Sequence, residues 1–369
     1  MKPLLVHVAQ VEITKASGMG RVAWHWKREF ERRGYEFIHI GSREVGALLH
    51  PGLFPFAAYR AYKRLGRLAS VLLVHEPASG VFAKRSPTIV FSHGVERRGW
   101  RLALQGKDGT STRIRLRTRL LFPLWRLRQC DVGLRKGAGL LLINSEDSEF
   151  VQRTYGRRLE GINVFKNGVY PSTLDERTQP VDSFTALFLG SWLERKGIDT
   201  LISAARILDA RNVPVNWLLA GTGADRDSVL NSWPESIRPR VEIIPCFSPD
   251  AEGSLLARSN LFVLPSFFEG QPLSLLQAME TGRCCITTDC CGQRDLIRHN
   301  YNGLLHVPGD AQQLASLIEK CATSEELRSS LGRNAKRTAQ CRHWELVSSE
   351  VADFVETRIG SQRVLARTR

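Results

Sequence analysis

The amino-acid sequence predicts an α/β protein with two parallel sheets, one in each half of the chain. Apolar runs of four to six residues, short enough for strands, recur with helix-length segments between them. The scheme occurs twice, and a polar stretch containing proline separates the two occurrences. At 369 residues and 43% hydrophobic, the chain also exceeds what a single hydrophobic core usually serves. Strands that alternate with helices pair in parallel, and helices covering both faces of such a sheet leave its strands apolar throughout.

In the first half, strands are expected over 4–9, 37–40, 70–74, 88–92 and 140–143, with helices such as 22–33 between them. In the second, strands are expected over 185–189, 216–220, 241–244, 261–264 and 284–287, with helices near 200–209 and 273–281. Residues 170–183 are rich in Pro, Asp, Thr and Gln and lack apolar periodicity, so they form the expected linker between domains 1–169 and 184–340. Ligands of such sheets sit beyond the C-terminal strand ends, where the two domains are expected to face each other across a cleft.

No run of eighteen apolar residues and no basic start with an apolar core after it is present, which predicts a cytoplasmic protein without a membrane span. Eight cysteines include the adjacent pairs Cys284-Cys285 and Cys290-Cys291, which lack the two-residue spacer of zinc knuckles and read as reduced, partly buried thiols. The net charge of +15 is concentrated: the stretch 97–136 carries twelve basic and two acidic residues. Within it, Arg113, Arg115, Arg117 and Arg119 interleave with apolar and aromatic residues including Trp125, and Leu116, Leu120, Leu124 and Leu127 fall at helical spacing. A basic helix with an apolar side fits an anionic membrane surface or a phosphorylated acceptor. The alternative is a helix whose apolar side packs on its own domain. Nucleic acid is not expected as a partner, because no recognised binding module surrounds the patch.

Two segments read as anion sites. Gly18-Met19-Gly20 opens a helix, where free amides and the dipole attract phosphate. It follows its strand at a distance, and strand two ends at Gly41-Ser42-Arg43 without the acidic residue that holds an NAD ribose, so a dehydrogenase is disfavoured. The segment from Glu269 through Gly270, Gln271, Pro272 and Leu273 to Glu280 follows an apolar strand, and its glycine and proline suit a helix start whose amides approach a ligand. Asp225-Arg226-Asp227 resembles a metal motif but sits in a polar stretch where it reads as a helix start.

On the segment from Glu269 to Met279 the chain resembles the retaining glycosyltransferases of family 4, with their GT-B fold of two facing Rossmann-like domains. Further matches are Phe188 to Gly197, Ala220 to Gly223, Gly292 to Asp295, Asn302 to Leu305, Ser92-His93-Gly94, Asn144 to Glu146 and Lys166 to Val169. The chain departs from the family at Gln277, where a glutamate that bonds the nucleotide ribose is usual, and at Ser191, where the family's arginine usually stands. The resemblance implies transfer of a sugar, with retention at the anomeric carbon, from a UDP- or GDP-sugar to a saccharide or lipid-linked acceptor, in bacterial surface polysaccharide or lipopolysaccharide synthesis. It implies Lys196, Arg195 and Gly20 on the donor diphosphate, and Glu269 with the backbone of 270–273 on the sugar or phosphate. It also implies Gln277 on the ribose, His93 at the transferred sugar, no metal cofactor, and a final helix over 341–369 that returns to the first domain. The changes at 277 and 191 keep open a weakly active or inactive nucleotide-sugar-binding scaffold.

Overall fold

The computed structural model describes residues 2–15, 17–110, 114–171 and 183–367. They divide into two compact units. The first takes the described residues before Gln105, those from 114 to 168 and those from Trp344 on; the second takes 105–110 and those from Val169 to His343.

The first unit is a six-stranded sheet of β1 (Leu4–Val8), β2 (Glu36–Ile40), β3 (Val71–His75), β4 (Ile89–Ser92), β5 (Gly139–Leu142) and β6 (Ile162–Val164), in the order β2-β1-β3-β4-β5-β6. Every pairing is parallel. Strands β1, β4 and β5 are buried along their whole length, the reason their sequences are apolar except at His7 and Ser92. The helix Gly18–Arg32 turns Val22, Ala23, Trp26 and Phe30 inward at one-turn spacing. The last helix, Trp344–Arg367, packs on it: Arg33 reaches Asp353 and Glu356, both at 2.7 Å, and the Trp344 ring stacks on His25 at 4.2 Å.

The second unit repeats the plan with β7 (Thr185–Leu189), β8 (Asn216–Ala220), β9 (Val241–Ile244), β10 (Leu261–Leu264), β11 (Cys284–Thr288) and β12 (Leu304–His306), ordered β12-β11-β10-β7-β8-β9 and parallel throughout. Strands β6 and β12 were not among the expected strands. Both are three-residue edge strands, too short to print an apolar run.

Each sheet has a switch point, where the chain stops adding strands on one side and begins on the other. It falls between β1 and β3 in the first unit and between β7 and β10 in the second. Neighbouring C-terminal ends diverge there and open a crevice.

The basic segment differs from the single regular helix expected. It comprises the helix Leu116–Phe122, a π-turn over Pro123–Leu127 and the helix Arg128–Lys136. The wider turn changes the helical phase, so Leu127 is buried while Leu116, Leu120 and Leu124 are 71, 60 and 69% exposed. Leu116, Leu120 and Leu124 therefore stay in solvent, whereas Leu127 and Phe122, which stacks on Trp100 at 4.7 Å, pack on their own unit. All eight cysteines are free thiols, five of them buried. Asp225 caps the helix Arg226–Asn231, accepting the Ser228 N–H at 2.9 Å.

Candidate active site

The switch point of the second sheet brings together the residues after β7 and β10. A 3-10 turn over Glu194–Lys196 ends at Gly197, whose left-handed backbone (φ 75°, ψ 30°) starts the helix Ile198–Ala210. A Cβ on Gly197 would lie 2.0 Å from the Pro265 carbonyl oxygen, so only glycine lets the two loops approach this closely. The Phe267 N–H completes the tie by donating to the Arg195 carbonyl at 2.9 Å.

Two backbone contacts thus fix where Glu269 and its cations meet. The Lys196 ammonium donates to Glu269 Oε1, and the Arg195 guanidinium stands 3.8 Å from the same oxygen. The Glu269 and Lys196 side chains are 11 and 14% exposed and that of Arg195 is 45% exposed, so the cluster is sheltered on one side and open on the other. The Glu269 loop is held from behind by Gly292, whose N–H donates to the Glu269 carbonyl at 3.2 Å. A Cβ there would fall 1.4 Å from the Gly270 carbonyl oxygen.

Pro272 is the N-cap of the helix Leu273–Glu280 rather than its first helical residue, and no side chain caps it. The Gln271 side chain is buried, with Oε1 accepting from Arg342 at 3.0 Å. Gln277 donates its amide N–H to the Tyr170 carbonyl at 3.3 Å, a bond that a glutamate could not make.

His93 belongs to the first unit, just past β4, in a cluster of histidines and aromatic rings. The His75 ring is 5.9 Å away, Phe91 5.8 Å and Phe165 5.6 Å, while His7 and His39 share a 2.9 Å hydrogen bond nearby in the sheet. Burial and the neighbouring His75 hold the His93 pKa down to about 3, and burial with Arg126 holds His75 down to about 4, so both rings are neutral at physiological pH. Gly20 lies in this unit too. Its N–H is taken by the Ser17 hydroxyl at 3.2 Å, and a Cβ would meet the Glu12 carbonyl oxygen at 2.5 Å.

Sequence reasoning missed two buried carboxylates that hold the loop bearing His93. Glu76, directly after β3, accepts the Ser92 hydroxyl at 2.6 Å and the Glu96 N–H at 3.2 Å. Asp147, after β5, accepts the Val95 N–H at 3.2 Å. Burial pushes the Glu76 pKa up to about 8, against the Ser92 hydrogen bond, and that of Asp147 up to about 6, against the Arg98 charge. The available signal was an acidic residue closing an apolar strand just before a proline.

In the same unit, a groove of about 860 Å³ is lined by Phe54, Pro77, Arg115, Arg117, Leu121 and Trp125 among others. The Trp125 indole is fixed by donating to the Gly52 carbonyl at 2.9 Å. Arg115, Arg117 and Arg119 are exposed with no ion pair among the described residues, whereas Arg97, Arg98 and Arg126 of the same basic stretch are neutralised by Asp131, Glu146 and Glu96. Arg113 lies outside the described residues. Among the described residues no helix is long and apolar enough to cross a membrane, and no group of three His, Cys, Asp or Glu side chains could hold a metal ion.

Residues 173–338 match the family model described as glycosyl transferases group 1. An uncharacterized glycosyltransferase of Methanocaldococcus jannaschii is 28% identical over 43% of this chain and 44% of its own length. The alpha-D-kanosaminyltransferase of Streptomyces kanamyceticus is 25% identical over 79% of this chain and 72% of its own, and the lipopolysaccharide glucosyltransferase WaaG of Escherichia coli 23% identical over 60 and 62%. The chain thus spans less than half the length of the first of these relatives and more of the others. Among solved structures, sucrose-phosphate synthase of Thermosynechococcus elongatus superposes with a TM-score of 0.78 at 17% identity, covering 98% of this chain and all of that one. Anabaena HepE, in complex with UDP and glucose, superposes at 0.65 and 16% identity over 95 and 99%. At these identities the superpositions show a shared fold of two Rossmann-like units, the GT-B fold. Over residues 173–338, within its second unit, the chain is thus similar to the glycosyl transferases group 1.

Proposed function

We propose that this protein is a retaining glycosyltransferase that binds a UDP- or GDP-sugar in its second unit and transfers the sugar to a saccharide or lipid-linked acceptor in the synthesis of a bacterial surface polysaccharide or lipopolysaccharide. The observation that carries the reading is the convergence of Lys196, Arg195 and Glu269 at the switch point of the second sheet. Negative charge grows on the departing diphosphate as the glycosidic bond breaks, and two cations beside a helix N-terminus stabilise it without a metal. In this reading Glu269 and the turn 270–273 hold the sugar, and His93 offers it a neutral hydrogen-bonding group. The leaving phosphate oxygen takes the acceptor's proton, so no side chain is assigned as base. Support for a nucleotide-sugar donor comes from the family match and from HepE, solved with UDP and glucose. Support for a surface-polysaccharide setting comes from relatives such as the lipopolysaccharide glucosyltransferase.

Purified protein incubated with UDP- and GDP-sugars in the presence of a chelator is expected to hydrolyse or transfer from one of them, with the anomeric configuration kept as read by NMR. Absence of turnover with every donor, together with retained nucleotide binding, would favour a scaffold instead.

Gln277 gives a second test. A charged acceptor contributes about 1.5–3 kcal/mol against about 0.5–1.5 for a neutral one, so Gln277→Glu is expected to tighten nucleotide binding roughly tenfold by calorimetry. It also removes the donor to the Tyr170 carbonyl, so a small fall in melting temperature should accompany the gain.

The basic, apolar face of the first unit is assigned in this reading to an anionic membrane surface or the acceptor it presents. Exposed leucines beside arginines with no ion pair among the described residues favour that interface over a solvated helix. Cosedimentation with anionic vesicles at low salt is expected for the wild type and should be lost on changing Arg115, Arg117 and Arg119 together to Glu. Wild-type protein that stays in the supernatant would sink the assignment.

A further inference from the structure

We propose that Glu269 discriminates the loaded nucleotide-sugar donor from the spent nucleoside diphosphate, by occupying the donor-free phosphate site as an internal anion. The inference rests on the proposed function and concerns the same site. Lys196 and Arg195 converge on one oxygen of Glu269, Oε1, and Oε2 takes no hydrogen bond among the described residues. The cations that would meet a diphosphate are therefore already compensated by a carboxylate. The loops bearing them are held together at Gly197 and Pro265, at Arg195 and Phe267, and at Gly292 and Gly270, so the backbone keeps both partners within reach of each other.

A diphosphate entering this site must share or take the cations, which leaves a carboxylate close to new negative charge. Like charges a few ångströms apart in a sheltered site repel, and here the repulsion opposes ligand binding. A donor that still carries its sugar compensates, because sugar hydroxyls donate hydrogen bonds to the released carboxylate oxygens. A nucleoside diphosphate without sugar offers no such donors from that position. The carboxylate thus lowers affinity for the product more than for the substrate and returns to Lys196 as the product leaves.

The test is calorimetric titration, with chelator present, of UDP, GDP, UDP-glucose and GDP-mannose into the wild type, Glu269→Gln, Glu269→Asp and Lys196→Ala. For the nucleotide that binds the wild type, Glu269→Gln should tighten the diphosphate about tenfold while tightening the matching nucleotide sugar less or weakening it. Glu269→Asp, whose shorter side chain draws away from Lys196, should move the ratio of the two affinities in the same direction and serves if the Gln variant does not fold. Unchanged or weaker diphosphate binding in the glutamate variants, with Lys196→Ala still impairing it, overturns the inference and leaves the proposed function standing. If no nucleotide binds the wild type, or Lys196→Ala binds as well as the wild type, both fall.

Discussion

Replacing Lys196 with alanine is expected to weaken binding of the nucleoside diphosphate by about 10- to 100-fold, the loss of one charge-assisted contact of about 1.5–3 kcal/mol. The fold itself should survive. Lys196 ends a 3-10 turn whose backbone is fixed by Gly197 and by the Phe267 N–H, and its side chain reaches only Glu269 among the described residues. Removing it leaves Glu269 without its closest cation, with Arg195 at 3.8 Å as the remaining one. The uncompensated carboxylate then adds repulsion to the lost attraction, which places the expected effect towards the upper end. Calorimetry with UDP and GDP reads it directly, and circular dichroism reports whether the variant is folded. A folded Lys196→Ala protein with wild-type affinity would remove the lysine from the donor site.

The second large effect is on stability against pH, and it originates at Glu76. In the folded protein this carboxyl keeps its proton up to about pH 8, whereas in the unfolded chain it releases it near 4.5. Between those values the unfolded state holds fewer protons, so raising the pH from 5 to 8 erodes stability by about 1.4 kcal/mol per unit from this group. Histidines act on the other limb. His93 and His75, depressed to about 3 and 4, accept protons in the unfolded chain near 6.5 but not in the fold, so stability falls as the pH drops below 6.5. Glu76→Gln keeps the shape of the protonated carboxyl and removes its ionisation. Denaturant titrations from pH 5 to 8 should show the variant gaining on the wild type with each unit, while the acid limb stays as it was. Parallel curves would mean that Glu76 is not protonated in the fold. The consequence reaches the site, because Glu76 binds both ends of the loop that carries His93 through Ser92 and Glu96.

Much of the fold was legible because parallel strands buried on both faces must be apolar throughout. The runs in β1, β4, β5, β7 and β10 therefore announce themselves. Edge strands β6 and β12 did not, since three residues are too few to carry a period. The glycine and proline of the Glu269 segment and the turn before Gly197 were also readable, because each answers a local backbone requirement. Glu76 and Asp147 escaped notice for the opposite reason. An acidic residue after a strand looks like ordinary solvated loop until the sheet closes over it.

The sequence by itself determined two parallel α/β units, a local excess of positive charge and the residue types of an anion site, since periodicity, composition and turn chemistry are properties of neighbours along the chain. Only the tertiary structure decided which charges meet. It set Lys196 and Arg195 on Glu269 and cancelled Arg97, Arg98 and Arg126 against carboxylates 30 or more positions away, while Arg115, Arg117 and Arg119 have no ion pair among the described residues. It also turned Leu127 inward and left Leu116, Leu120 and Leu124 in solvent. Charge pairing and burial depend on distances across strands, and strand order, which places β7 beside β10, is a property of the folded sheet rather than of any local segment.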